Sequence, residues 1–296
     1  MQLGYVGLGH MGGALARRLM REHRLRVYDL KPEAVRRFAD EGAIPAQDLR
    51  ALAGECDLVM TCLPRSEDVR IALFGEGGLA EGLRPGAIVA DMTTGDPNQT
   101  RAMAAELRER DVTLIDAPVS GGPHGAEAGT IAIMVGAPQA LFQQVRPYFA
   151  TISPNIFHTG DVGTGHVMKL VNNVIAAGVR CITFEAVAMG MKNGLSLATC
   201  AEVLQKGSAR SYSTEITLPR LLQQNYATNF AMGLMHKDVR LATQLGVDSA
   251  APMPLAGLVR ETFQAALNEH GAEADVNELI KTVERLAQVQ IRPGSG

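Results

Sequence analysis

The stretch LGYVGLGHMGGALARRL, Leu3 to Leu19, runs from a short apolar segment through closely spaced glycines into an amphipathic one. Gly7, Gly9 and Gly12 stand as G-x-G-x-x-G directly after a predicted first strand, Leu3 to Val6, and at the opening of a predicted helix, Gly12 to Arg21. That context turns a common pattern into a dinucleotide-binding one. Gly7 permits the tight turn, Gly9 lets the backbone approach a pyrophosphate, and Gly12 lets helix and strand pack closely. The phosphates are expected on the helix N-terminus, where unpaired N–H groups and the dipole favour anions. Leu8, His10 and Met11 complete the expected cofactor loop.

The second apolar run, Leu25 to Asp29, ends VYDL. It places Asp29 about 20 residues beyond the glycines, where a carboxylate bonds the adenosine ribose hydroxyls. A 2′-phosphate there meets like-charge repulsion, which favours NAD and leaves NADP possible; Lys31 and Arg36 soften the preference.

Outward from this unit the same alternation continues to about position 160. Asp57 to Leu63, Ala87 to Met92, Val112 to Asp116 and Thr130 to Val135 read as further strands, with helices such as Pro32 to Glu41 and Pro97 to Arg110 between them. Alternating βαβ units predict a Rossmann-type doubly wound α/β domain over residues 1–162. After Asp161 strand-like runs disappear and 3.6-period segments follow one another, predicting an all-α domain over residues 163–296 that serves substrate binding and oligomerisation. Its first helix, Thr164 to Lys192, is apolar over most of its circumference and is expected to be buried, partly by a second subunit, because it spans about 43 Å. A homodimer or homotetramer is the expectation. The tail from Ile291 to Gly296 is rich in Pro, Gly and Ser and is expected to fray.

Composition narrows the function classes. Among 296 residues, 46% are hydrophobic and 20% charged, which is globular composition. The formal net charge of −3, the absence of Trp and only 4% aromatics argue against a nucleic-acid partner. The N-terminus does not read as a secretion signal, and no stretch free of polar residues reaches the roughly 18–20 positions of a membrane helix, so a soluble, cytoplasmic protein is expected. Cys56, Cys62, Cys181 and Cys200 form no CxxC and no cysteine–histidine cluster, so no metal site is predicted.

Four motifs in order, GYVGLGHMG at Gly4 to Gly12, DAPVSGG at Asp116 to Gly122, GTGHVMKLVNN at Gly163 to Asn173 and KDVRLA at Lys237 to Ala242, resemble the β-hydroxyacid dehydrogenase family, in particular its 3-hydroxyisobutyrate dehydrogenase-like members. The resemblance spans nearly the whole chain. It implies that Ser120, Gly121 and Gly122 hold a substrate carboxylate, that Lys169 is the catalytic lysine, and that Asn173 is a second polar contact to the substrate. It also implies that Lys237, Leu63, Pro64 and Thr94 lie along the cofactor. One departure is GGALARRL in the first helix, where relatives usually carry Met-Ala and then Asn, a change that bears on packing behind the pyrophosphate.

The same residues make chemical sense by themselves. A Gly-rich turn after an apolar strand, Val119 to Gly122, exposes consecutive N–H groups that can cradle an anion, and Ser120 adds a hydroxyl. Lys169 and Asn173 are four residues apart, so on a helix they can reach one small ligand. Asparagines inside an apolar helix are poor helix formers and need another reason to be there. Lys169 falls in the early turns, where the dipole disfavours its charged form and suits it to exchange a proton with an alcohol. His124, His166 and His236 lie near these segments, but their spacing pairs none of them with a carboxylate. Arg210 and Tyr212 stand in a context too generic to assign.

The expected function is therefore hydride transfer between NAD(P) and a small 3-hydroxy acid, of the 3-hydroxyisobutyrate or tartronate semialdehyde/glycerate kind, with Lys169 as general acid/base. Two alternatives stay open: a reductase of another small aldehyde or an imine, and a non-catalytic dinucleotide sensor on the same fold.

Overall fold

The computed structural model describes residues 1–294, and the chain divides into two compact units, Met1–Lys169 and the residues from Leu170 onward. The division falls inside a continuous helix, seven residues beyond the boundary expected at 162/163. Each unit is built around its own core.

The first unit is a nine-stranded, mostly parallel sheet: β1 (Leu3–Val6), β2 (Leu25–Tyr28), β3 (Ile44–Pro45), β4 (Leu58–Thr61), β5 (Ile88–Asp91), β6 (Thr113–Asp116), β7 (Val119–Ser120), β8 (Ala132–Gly136) and β9 (Ile156–Gly160). The order is β3-β2-β1-β4-β5-β6-β8-β7, with β9 beside β8. From β3 to β6 every pairing is parallel; β8 runs antiparallel to β6 and β7, and parallel to β9. The helices are α1 (His10–Leu19), α2 (Pro32–Asp40), α3 (Leu49–Gly54), α4 (Ser66–Phe74), α5 (Leu79–Gly82), α6 (Pro97–Arg108), α7 (Gly122–Ala128), α8 (Gln139–Ile152) and the long α9 (Thr164–Lys192).

Local chemistry sets several of these ends. Pro32 and Pro97 open α2 and α6, and the carboxylates of Asp48 and Asp96 accept N–H bonds from Ala51 and Asn98 in the first turns of α3 and α6. Alternation along the strands feeds two apolar layers. Tyr5, Met60, Ala90 and Ile115 pack with Leu15, Phe38 and Phe149 on one face, while Val6, Val59, Val89 and Leu114 pack with Leu52, Leu73 and Leu107 on the other. The chain reverses its direction of progress across the sheet between β1 and β4, the switch point where open α/β sheets bind ligands.

The second unit is helical: the remainder of α9, then α10 (Leu197–Lys206), a π turn over Ser213–Thr217, α11 (Leu218–Leu222), α12 (Met232–Asp248), α13 (Pro254–His270), a 3₁₀ turn over Val276–Glu278 and α14 (Leu279–Ala287). Phe184, Met232, Val239, Phe263 and Leu279 centre its core.

One expectation, for the C-terminal tail, needs correction here. Helix α9 has the predicted limits, and within one subunit Met168, Val171, Ile175, Ile182 and Met189 are exposed and recur along one stripe. Its length and a mean hydropathy of 1.6 reach the range of a membrane span, yet half of that window is buried within the protein. Ile291, at the start of the supposedly frayed tail, is buried, and its N–H donates to Glu284 at 2.7 Å. Ser295 and Gly296 lie outside the described residues.

Candidate active site

The turn from β1 into α1 is a backbone device. Gly7 has φ +96°, and a side chain there would also collide with the Cys62 carbonyl. A Cβ on Gly12 would strike the Gly7 carbonyl oxygen, so the helix can start this close to the strand only on glycine. Gly9 is exposed, and among the described residues a Cβ there would meet no atom within 4 Å beyond its own chain neighbours. The open side of the loop leaves the room that a pyrophosphate would need. These residues fit a dinucleotide.

Asp29 closes the loop from the neighbouring strand. One carboxylate oxygen accepts the Leu8 N–H at 2.6 Å and the other the Lys31 N–H at 2.8 Å. Leu8 therefore serves through that bond and through a side chain buried in the core, not by offering its N–H to a phosphate. His10 is exposed and Met11 half-buried at the helix opening. Leu63 and Pro64 follow β4, and Thr94 follows β5, at the same edge of the parallel sheet as the glycine loop; the Leu63 N–H donates to Thr93 Oγ1 at 3.0 Å.

The Val119–Gly122 segment is partly strand, with Val119 and Ser120 paired to β8. Gly121 and Gly122 then take φ +138° and +69°, a pair of conformations that only glycine adopts without strain, and lead into α7. Ser120 is half-buried and both glycines are exposed.

Lys169 and Asn173 sit one turn apart on α9 and are both buried, at 8% and 5% exposure. In the helical unit, Asn173 Nδ2 donates to Asp238 Oδ2 at 2.5 Å, and the Lys237 ammonium lies 3.2 Å from Asp238 Oδ1. Asn172 donates to Asn173 Oδ1 at 2.9 Å, so the adjacent amides brace one another. Asp238 is 2% exposed and was not singled out from sequence. The available signal was an acid on the face of α12 that otherwise buries Met235, Val239 and Ala242.

His166 also needs correction. The structure sets it between two buried carboxylates, with Asp91 Oδ2 3.9 Å from Nε2 and Asp116 Oδ2 4.0 Å from Nδ1. Burial raises the Asp116 pKa, opposed by His166 and by the N–H groups of Gly163 and His166. His124 is exposed. Burial, with Arg240 and Arg260 nearby, lowers the His236 pKa. Arg210 and Tyr212 are exposed.

A glycine cradle at the switch point of a Rossmann-type sheet, an acid at the end of its second strand and a buried lysine on the helix that follows define an NAD(P)-dependent oxidoreductase. Comparison with known proteins narrows the class. Residues 2–160 match the NAD-binding domain of 6-phosphogluconate dehydrogenase, and residues 163–283 match the NAD-binding family of NADP-dependent 3-hydroxyisobutyrate dehydrogenase. The chain is 33% identical over 296 residues to 2-(hydroxymethyl)glutarate dehydrogenase of Eubacterium barkeri, covering 99% of this chain and 98% of that one. It is 35% identical over 269 residues to 3-hydroxyisobutyrate dehydrogenase of Pseudomonas aeruginosa, covering 88% and 90%. A solved 3-hydroxyisobutyrate dehydrogenase from Mycobacterium tuberculosis, with L-serine, superposes with a TM-score of 0.87 at 27% identity over 96% of this chain and 99% of that one. The chain belongs to the β-hydroxyacid dehydrogenase family, among its 3-hydroxyisobutyrate dehydrogenase-like members.

Proposed function

We propose that this protein catalyses the reversible oxidation of a short 3-hydroxy acid, with NAD preferred and Lys169 moving the proton. The observation that carries the reading is the pair of buried polar side chains one turn apart on α9, Lys169 and Asn173, the second anchored to a buried carboxylate. Burying such groups in an apolar helix is costly unless they are paired or used. The family relatives support the substrate class, since 3-hydroxyisobutyrate and 2-(hydroxymethyl)glutarate are both 3-hydroxy acids.

In this reading Ser120 and the N–H groups of Gly121 and Gly122 hold the substrate carboxylate, and Asn173 fixes a second polar group. Lys169 accepts the hydroxyl proton during oxidation and returns it to the carbonyl oxygen during reduction. The bound nicotinamide supplies the hydride chemistry. Gly7, Gly9 and Gly12 let the backbone meet the pyrophosphate; Asp29 reads the ribose; Leu63, Pro64, Thr94 and Lys237 line the rest of the dinucleotide. The Asp29 carboxylate, held by two N–H bonds, stays in place to repel a 2′-phosphate.

The test is absorbance of the reduced nicotinamide with a panel of short 2- and 3-hydroxy acids, using NAD and NADP separately. Turnover of a 3-hydroxy acid with NAD is expected. Turnover confined to 2-hydroxy acids, or absent despite cofactor binding, would overturn the substrate class. Asp29→Ala should shift the kcat/KM ratio toward NADP, and an unmoved ratio would remove Asp29 from that role.

We place the enzyme in the cytoplasm, and the exposed apolar stripe on α9 supports a homo-oligomer, dimer or tetramer. Val171, Ile175, Ile182 and Met189 recur at spacings of four and seven residues, the pattern of a helix seam that a second copy covers. Sedimentation should give a multiple of 31.5 kDa, and Ile175→Asp with Ile182→Asp should lower it.

A further inference from the structure

The first turns of α9 are anchored from below by groups that the reading above leaves without a role. Asp116, the last residue of β6, is fully buried, and its two carboxylate oxygens accept the N–H groups of Gly163 at 2.6 Å and His166 at 2.7 Å. Those donors belong to the start of α9, where N–H groups have no partner within the helix. The fit is tight on both sides: a Cβ on Gly136 would come within 2.5 Å of Asp116 Oδ1, and one on Gly165 within 2.8 Å of Oδ2.

The side chain of His166 adds a second tie. Its Nε2 lies 2.8 Å from the Thr93 carbonyl and its Nδ1 2.9 Å from the Thr100 hydroxyl. A carbonyl can only accept, so Nε2 donates to Thr93, while Nδ1 shares the Thr100 hydroxyl with the Asp96 carbonyl, 3.0 Å from Oγ1. The ring thereby links α9 to the segment after β5 and to α6, with no polar ring atom idle. Asp91 stands beside it, its Oδ1 accepting from Thr61 Oγ1 at 2.9 Å and from the Thr93 N–H at 3.0 Å. The titratable groups facing one another in this node are thus Asp91, Asp116 and His166.

Lys169 stands one turn beyond His166 on the same helix. Once the first turn is fixed at two N–H groups and one imidazole, the height and rotation of Lys169 follow, because a helix transmits position rigidly over one turn. We infer that Asp116 and His166 are positioning residues for Lys169, acting through the first turn of α9 to fix where its amine stands; this rests on reading Lys169 as the proton-transfer group. Misplacement by about an ångström lowers turnover by as much as a hundredfold without touching the binding groups.

The experiment compares Asp116→Asn and Thr100→Val with the unaltered protein. The asparagine keeps the shape but replaces one acceptor by an N–H₂, and the valine removes the hydroxyl that His166 and the Asp96 carbonyl share. Three quantities are read: kcat and KM for the hydroxy acid that the protein turns over, the NAD dissociation constant, and the NMR signal of Lys169 after reductive methylation with labelled formaldehyde. Lys169→Arg assigns that signal, and the exposed Lys206 and Lys281 serve as references.

The expected result is a fall in kcat of about tenfold to a hundredfold for Asp116→Asn and a smaller fall for Thr100→Val. NAD affinity should be unaltered, and the Lys169 signal should move while the reference lysines stay put. Lowered melting temperatures with kcat per folded site and the Lys169 signal both unmoved would overturn the inference and make the node merely structural. Should Asp116→Asn fail to fold, Thr100→Val decides alone on the same two readouts. Full turnover in Lys169→Ala would instead sink the role of Lys169 itself, a separate failure.

Discussion

The two units meet the demand for precise placement in opposite ways. In the sheet unit the cofactor loop is shaped by backbone: Gly7 adopts φ +96°, Gly12 lies against the Gly7 carbonyl, and a side chain at either would collide with main-chain atoms. In the helical unit the polar apparatus is made of side chains that hold one another inside an apolar interior, Asn173 on Asp238 and Asp238 beside Lys237. The difference teaches where damage falls. A substitution at Gly7 or Gly12 should injure the fold and the cofactor site together, whereas one in the buried polar cluster should leave the fold standing and injure chemistry.

The largest effect expected lies at the lysine that precedes the helical unit. Lys169→Ala should lower kcat by about 10² to 10⁴, the range for loss of a general acid/base, with the NAD dissociation constant nearly unaltered. Steady-state rates and a fluorescence titration of NAD check both halves. An equal loss of cofactor affinity would break the comparison, because Lys169 would then belong to the binding apparatus.

Next in size is a contrast between two glycines of the loop. Gly12→Ala should cost about 1–3 kcal/mol of stability through overpacking and abolish tight NAD binding. Gly9→Ala meets no atom of the described residues within 4 Å beyond its own chain neighbours, so its melting temperature should stay at the unaltered value while NAD binds more weakly. Thermal melts with and without NAD separate the two. Equal melting losses for both would mean that the open side of the loop is part of the fold and not reserved for a ligand.

Asp238→Asn should act in the other direction. It leaves one acceptor for Asn173 but removes the charge beside Lys237, and kcat/KM should fall by roughly tenfold to a hundredfold, the size of a hydrogen bond to a charged group. The melting temperature should drop little, since no cavity is made. A large drop would place Asp238 with the loop glycines, as a residue the fold itself requires.

How much of this was legible beforehand follows the same division. A backbone demand is written locally: Gly7, Gly9 and Gly12 announce their turn, Asp29 its strand end, and the 3.6-residue period of α9 its limits at Thr164 and Lys192. Short elements escape because two residues carry no period, which is why β3 and β7 were not predicted; β9, with its half-exposed pattern, lacks clean alternation. Side-chain partnerships escape for a different reason. Asp116 meets His166 across 50 positions and Asn173 meets Asp238 across 65, separations at which no spacing rule operates. The apolar circumference of α9 was readable, but periodicity reports only that a face is apolar, not which neighbour covers it, and within one subunit the stripe from Met168 to Met189 is exposed.

The smallest effect expected is a pH dependence that sharpens the contrast between buried and surface polar groups in the helical unit. Glu269, at the end of α13, accepts from Arg285 at 3.0 and 3.1 Å and from Thr282 at 2.9 Å. The hydrogen bonds from Arg285 and then Thr282 lower its pKa to about 2. A carboxylate whose pKa is depressed by folding contributes stability above its ordinary range, and that contribution is lost as pH falls toward the folded value. Glu269→Gln should therefore melt slightly lower than the unaltered protein at pH 7, by about 1–2 °C for a solvent-screened pair. The difference should shrink as pH is lowered from about 4.5 toward about 2, the window between the ordinary and the depressed pKa. Paired melts across that window measure it. Because the pair lies on the surface, kcat should be untouched throughout; a fall in kcat would show that the helical unit's surface, and not only its buried cluster, bears on the chemistry.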